Sequence, residues 1–231
     1  MCPMSEPVPP NPESDVALGR RAQILATEHW GLLAARGTAQ SEVLTRITIF
    51  LTLVSAGLVT IGLLGQATAF KGWFGGAAIA ILSFLALVGV MTQTRVINVA
   101  EEDMMYVVAM NRLRGAYVDL DPAVADIFLA ASTDDRAGME RTYSFLRRRS
   151  VSVLFGSSMM LIIVVNACVL GLVAGAIVAT AGGSWGWAVG VGAGVGLVTG
   201  VGFFAYGGRN FRRTWQRYVP RKTTEAEPPW R

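Results

Sequence analysis

The stretch Arg147–Ala179 reads RRRSVSVLFGSSMMLIIVVNACVLGLVAGAIVA. Three arginines lead into an apolar run, Val151–Ala179, that holds no Asp, Glu, Lys, Arg or His. A helix needs about 20 such residues to cross roughly 30 Å of hydrocarbon, so this run predicts a membrane span with a basic end. Three more runs meet the same test: Ile47–Gly65, Trp73–Thr92 and Trp185–Tyr206. Basic residues then orient the four spans. Arg20, Arg21, Arg36 and Arg46 precede the first. Arg95, Arg112, Arg114, Arg136, Arg141 and Arg147–Arg149 lie between the second and third. Arg209, Arg212, Arg213, Arg217, Arg221, Lys222 and Arg231 follow the fourth, and only Lys71 falls in a loop on the other side. The positive-inside bias places both termini and the middle segment in the cytoplasm. The expected fold is all-α: a polytopic membrane protein with four transmembrane helices in two hairpins, plus amphipathic cytosolic helices.

Composition agrees with that class. The chain has 231 residues, 52% of them hydrophobic, and a mean hydropathy of +0.46, too apolar for an ordinary soluble domain. A pI near 9.4 raises the question of nucleic acid. The arginines, however, cluster at the ends of the apolar runs, where anionic lipid headgroups are the expected partner, and no nucleic acid is expected. All 16 acidic residues lie on the same side as the arginines. Met1–Asp15 lacks the apolar core of a signal peptide, so the first run reads as a retained span. Cys2 and Cys168 form no disulfide framework, and Cys168 reads as a small packing residue within a span.

Between the spans the pattern is helical. Residues 1–15 are Pro-rich and expected to be disordered. Residues 16–46 carry a stripe, Leu18, Ala22, Leu25, His29 and Leu32, expected to lie on the membrane surface or against another helix. After the first hairpin, 47–92, the cytosolic linker 93–150 begins with a second stripe: Val96, Val99, Tyr106, Met110, Leu113, Tyr117 and Leu120. It projects roughly 40 Å if helical and needs a covering surface. Asp121-Pro122 reads as a helix start, with a short helix to about Ala131. Ser132-Thr133-Asp134-Asp135 reads as a capping box opening a helix that runs through Arg147–Arg149. The Gly-rich hairpin 151–206 follows. Residues 207–231 then read as a basic interfacial helix and tail, with Phe211, Trp215 and Tyr218 on one face and Pro220 as its stop.

The fourth run carries glycines on two opposite faces: Gly186, Gly190 and Gly194 on one, Gly192, Gly196 and Gly200 on the other. With no strand before it, this is not a dinucleotide loop. Small residues let helices approach closely, and Ala167, Gly171, Gly175 and Ala179 offer a matching row. Asn166 is the most polar side chain deep in a span, suited to an inter-helix hydrogen bond or to lining a pore. Arg147, Arg148 and Arg149, with Arg212, Arg213 and Arg217, are the expected headgroup contacts. Val99, Tyr106, Met110, Leu113 and Tyr117 are the expected partner stripe. His29 is read as structural, and Glu101-Glu102-Asp103 as pairing with nearby arginines. No nucleophile, metal cluster or phosphate loop suggests an enzyme, so no catalytic residue, metal or cofactor is expected.

Two segments, EHWGLLAARGTAQSEVLTRITIFLTLVSAGLV (28–59) and EEDMMYVVAMNRLRGAYVDLDP (101–122), resemble an uncharacterised group of four-span membrane proteins from high-GC actinobacteria. That resemblance covers about residues 28–170 and implies no activity. In layout alone, the first half is also similar to two-span effector modules of bacterial conflict systems, which are thought to form pores. The expected function is a homo-oligomeric membrane scaffold whose cytosolic helices meet a protein partner. The alternative is an oligomeric channel or pore-forming effector.

Overall fold

Four helices of the structure are long and apolar enough to cross a membrane. The structure, a computed structural model, describes residues 12–144 and 156–224. Helix α1 runs Pro12–Thr68 and helix α2 Phe74–Leu120. A 3-10 helix, Pro122–Asp126, and the short helix α3, Arg136–Tyr143, follow. Helices α4, Ser158–Thr180, and α5, Trp185–Arg217, form the second hairpin. Among the described residues there is no strand.

No proline interrupts α1 or α2 after Pro12, so each continues without a break from an apolar span into an amphipathic segment. The cytosolic segment expected at 16–46 and the first span are therefore one helix, which starts at Pro12 within the expected tail. Likewise α5 passes Tyr206 and ends at Arg217, so the aromatic segment continues the fourth span. Helix α4 starts seven residues later than Val151, capped by the Ser157 side chain on the Met160 N–H. Hydroxyls within the spans are satisfied locally: Thr48, Thr52, Thr60 and Thr68 each donate to the carbonyl four residues back.

The first hairpin turns through Ala69 and Phe70, both with positive φ, and Gly72. Left-handed backbone at Ala69 and Phe70 is uncommon for residues with a Cβ. It is held by the Phe70 N–H donating to the Gly65 carbonyl at 2.9 Å. The Phe70 ring then fills the space a Cβ on Gly65 would need.

The chain divides into two compact units. The span unit comprises Gly37–Asp103 and Arg149–Tyr218; the polar unit comprises Met1–Arg36, Met104–Arg148 and Val219–Arg231. In the span unit, Leu85 and Ala86 of α2 and Val169 of α4 form a buried cluster. Leu53 and Val54 of α1 and Val165, Leu170 and Val173 of α4 pack around it. Lipid tails are as apolar as the side chains they touch, so no hydrophobic drive joins helices in lipid, and fit at this three-helix contact, and at the α4–α5 contact, carries the packing.

Candidate functional site

Small residues bring α4 and α5 nearly backbone to backbone. A Cβ on Gly192 would sit 2.8 Å from the Gly171 carbonyl oxygen, and one on Gly196 would sit 2.9 Å from that of Ala167. A Cβ on Gly175 would sit 3.0 Å from the Ala188 oxygen, and Gly200 faces Ala167 at 3.6 Å. Five of the seven sequence-selected glycines therefore line this seam. Gly190 and Gly194 do not: a Cβ there meets nothing within 4 Å. The two glycine faces of the fourth span differ, one closed by α4 and the other open.

Asn166 lies on α4, fully buried, and its Nδ2 donates to the Gly89 carbonyl of α2 at 2.9 Å. Its Oδ1 lies against the Cα of Gly89, whose missing side chain makes room for both the amide and the Phe50 ring. Sequence reading selected Asn166 but not Gly89, one of several glycines in its span. One turn along α2, Gln93 is fully buried, and neither of its amide atoms has a partner among the described residues.

Beyond the apolar segments of α1 and α2, charges knit the helices together. Arg95 donates to Glu42 at 2.9 Å and to Glu102 at 2.7 Å, and Glu42 also accepts from Arg46. The hydrogen bond from Arg95 is the main reason the Glu42 carboxyl sits below its ordinary pKa. The acidic triplet separates: Glu101 accepts from Thr214, Glu102 from Arg95 and Asp103 from Gln40. Consecutive helical residues point in different directions, so these carboxylates converge on no common point.

The densest polar network lies in the polar unit. Asp134 is 1% exposed and accepts the backbone N–H groups of Arg221 at 2.9 Å and Lys222 at 2.7 Å, together with Arg112 Nε at 2.8 Å. The Asp134 N–H donates in turn to the Lys222 carbonyl. Asp135 accepts both the N–H and the hydroxyl of Thr224. Lys222 Nζ reaches the Gly115 carbonyl at 2.9 Å and Asp119 at 2.6 Å. A Cβ on Gly115 would come within 2.6 Å of the Ser132 carbonyl oxygen and 3.2 Å of the Lys222 side chain, so this glycine lets the strap 221–224 seat.

These contacts correct the expected capping box. The N-cap of α3 is Asp135, accepting from the Gly138 N–H, and α3 ends at Tyr143. Asp134 serves the strap instead, because two adjacent backbone donors there need an acceptor. Burial alone would raise the Asp135 carboxyl; the Thr224 and Gly138 N–H donors outweigh it and hold the group below its ordinary value. Asp121 does cap a helix that begins at Pro122, but that helix is 3-10 and stops at Asp126.

The two amphipathic stripes meet within the polar unit. The His29 ring of α1 lies beside that of Tyr117 of α2, tilted by 36° with centroids 6.3 Å apart, and the Phe128 ring lies 6.5 Å from Tyr117. Burial, then the charge of Arg114, lowers the pKa of His29. Val99 and Met110 are buried, while Tyr106, Leu113 and Tyr117 are half-buried. The expected partner stripe is thus largely covered by the chain itself. Arg212, Arg213 and Arg217 are exposed along α5, and Arg147, Arg148 and Arg149 lie outside the described residues.

The chain matches no family model, no curated protein and no solved structure.

Proposed function

We propose that the protein is a non-enzymatic, homo-oligomeric scaffold of the bacterial inner membrane, with both termini and the polar unit in the cytoplasm. One observation carries this reading: the polar unit buries Asp134 to clasp its own chain and leaves large apolar side chains outward. Trp30 is 71% exposed, Ile127 73% and Leu129 67%, whereas Met110 is buried. Trp30 and Leu33 neighbour one another at helical spacing on α1. Exposed aromatic and aliphatic groups beside a rigid polar network suit an assembly surface. The surface offered to a protein partner is then Trp30, Leu33, Ile127 and Leu129 rather than the covered stripe.

The pore reading needs Asn166 toward a lumen, and its burial against Gly89 favours the scaffold. Size determination in detergent, coupled to ion-flux assays in liposomes, tests the choice. The scaffold reading expects particles larger than one copy, no ion flux, and loss of association in Trp30→Ser with Ile127→Ser at unchanged helicity. A monomer that conducts ions would overturn it.

A further inference from the structure

A long apolar groove runs along the span unit between α2, α4 and α5. Phe74 and Leu82 of α2, Cys168 and Gly171 of α4, and Ala193 and Phe204 of α5 mark its walls. Its volume of about 1210 Å³ exceeds the roughly 300–1,000 Å³ of most small-molecule pockets. The close α4–α5 seam shapes it, because Gly171, Gly175, Gly192, Gly196 and Gly200 line it and project no side chain into it. Leu197 and Val201 on its rim are 71% and 60% exposed, so the groove opens sideways into the apolar surroundings of the spans.

One end of the groove leads to exposed positive charge. At 100° per residue, Val201, Phe204, Gly208 and Arg212 lie in one row of α5. A Cβ on Gly208 meets nothing within 4 Å, so the row is open between groove and guanidinium. Arg212 stands eight residues beyond Phe204, about 12 Å along the axis. Helical side chains lean toward the N-terminus, which brings the guanidinium back toward the groove. Arg209 lies one turn nearer the span. Arg209, Arg212, Arg213 and Arg217 are all exposed, α5 contains no acidic residue, and no carboxylate among the described residues pairs with them.

We propose that this groove binds one anionic diacyl phospholipid, its acyl chains against α2, α4 and α5 and its headgroup phosphate on Arg212. Charge selects this occupant over a second copy. Two chains packed groove to groove with the same membrane orientation would bring four arginines from each α5 to one surface, against the one carboxylate, Glu101, that Thr214 holds beside them.

The test uses the full chain in detergent with phosphatidylglycerol and phosphatidylcholine added together, read by native mass spectrometry. The expected result is one retained phosphatidylglycerol per chain, preferred over phosphatidylcholine. Arg212→Gln, a surface change, reduces that preference about fivefold. Arg213→Gln, half a turn around α5 from the groove residue Phe204, leaves it near the wild-type level. Ala193→Trp fills the groove and removes both lipids at unchanged helical circular dichroism. Equal retention in wild type and Ala193→Trp would overturn the proposal, as would equal losses from Arg212→Gln and Arg213→Gln. In a Cys2→Ser chain in bilayers, an oxidant-induced Cys168–Cys168 dimer that Ala193→Trp suppresses would instead seat a second copy in the groove.

Discussion

Replacing Asp134 with alanine should release the strap 221–224 while leaving the spans intact. The carboxylate is 1% exposed and holds two backbone N–H groups and the Arg112 guanidinium. Truncation leaves those two donors without their acceptor, at about 1–3 kcal/mol each when buried. Arg112 is 45% exposed and regains water, so its lost pairing adds little. The strap can also peel away and solvate its donors, which limits the cost to that of undocking, roughly 3 kcal/mol. At 1.36 kcal/mol per tenfold, opening of the strap becomes about 150 times more frequent. Hydrogen exchange of peptides covering 219–224, followed by mass spectrometry in detergent, reads that change at the Arg221 and Lys222 amides. Asp134→Asn keeps one acceptor oxygen without the charge and should fall between wild type and alanine. Peptides from α4 should exchange as in wild type, because Asp134 bonds only within the polar unit in the contacts described above. Exchange within about threefold of wild type in Asp134→Ala would refute the assignment of the strap to this carboxylate.

The two glycine faces of α5 should respond differently to bulk. Gly196→Leu forces a side chain onto the Ala167 carbonyl and should lower thermal stability in detergent; Gly194→Leu projects into open space and should not. Equal losses in both would mean that the face closed by α4 is not the one that governs packing. Asn166→Leu should lower stability by about 0.6 kcal/mol, typical of an inter-helix hydrogen bond in lipid, and leave liposome ion permeability unchanged. Wild-type ion flux that this variant abolishes would favour a pore. Acid should weaken the polar unit in two steps. The folded pKa of His29 lies below its ordinary 6.5, so its stabilising contribution is complete above that value and falls as pH drops below it. Asp135 lies below its ordinary 3.8, so its contribution holds above that value and is lost as pH falls through the folded pKa. In unfolding midpoints measured against pH, His29→Gln should remove the upper step and Asp135→Asn the lower. A single step untouched by either variant would contradict this scheme.

The sequence alone determined the four spans, their order in two hairpins and the all-helical class. Each follows from local properties: run length, absence of charge, and 3.6-residue periodicity. Those same properties picked out Asn166 and the seam residues Gly171, Gly175, Gly192, Gly196 and Gly200, since small side chains in a span serve close approach. They could not say which face of α5 closes, because Gly186–Gly190–Gly194 and Gly192–Gly196–Gly200 are equally small. Only the position of α4 separates them. Nor could they show that the stripe from Val99 to Tyr117 finds cover in its own chain. An amphipathic helix announces that its apolar face needs a partner and carries nothing about which segment supplies it. The Asp134 clasp was least visible of all. Its donors are backbone N–H groups nearly ninety residues away, which every non-proline residue possesses, so no side-chain pattern marks them. Tertiary structure alone decides where such donors meet a buried carboxylate.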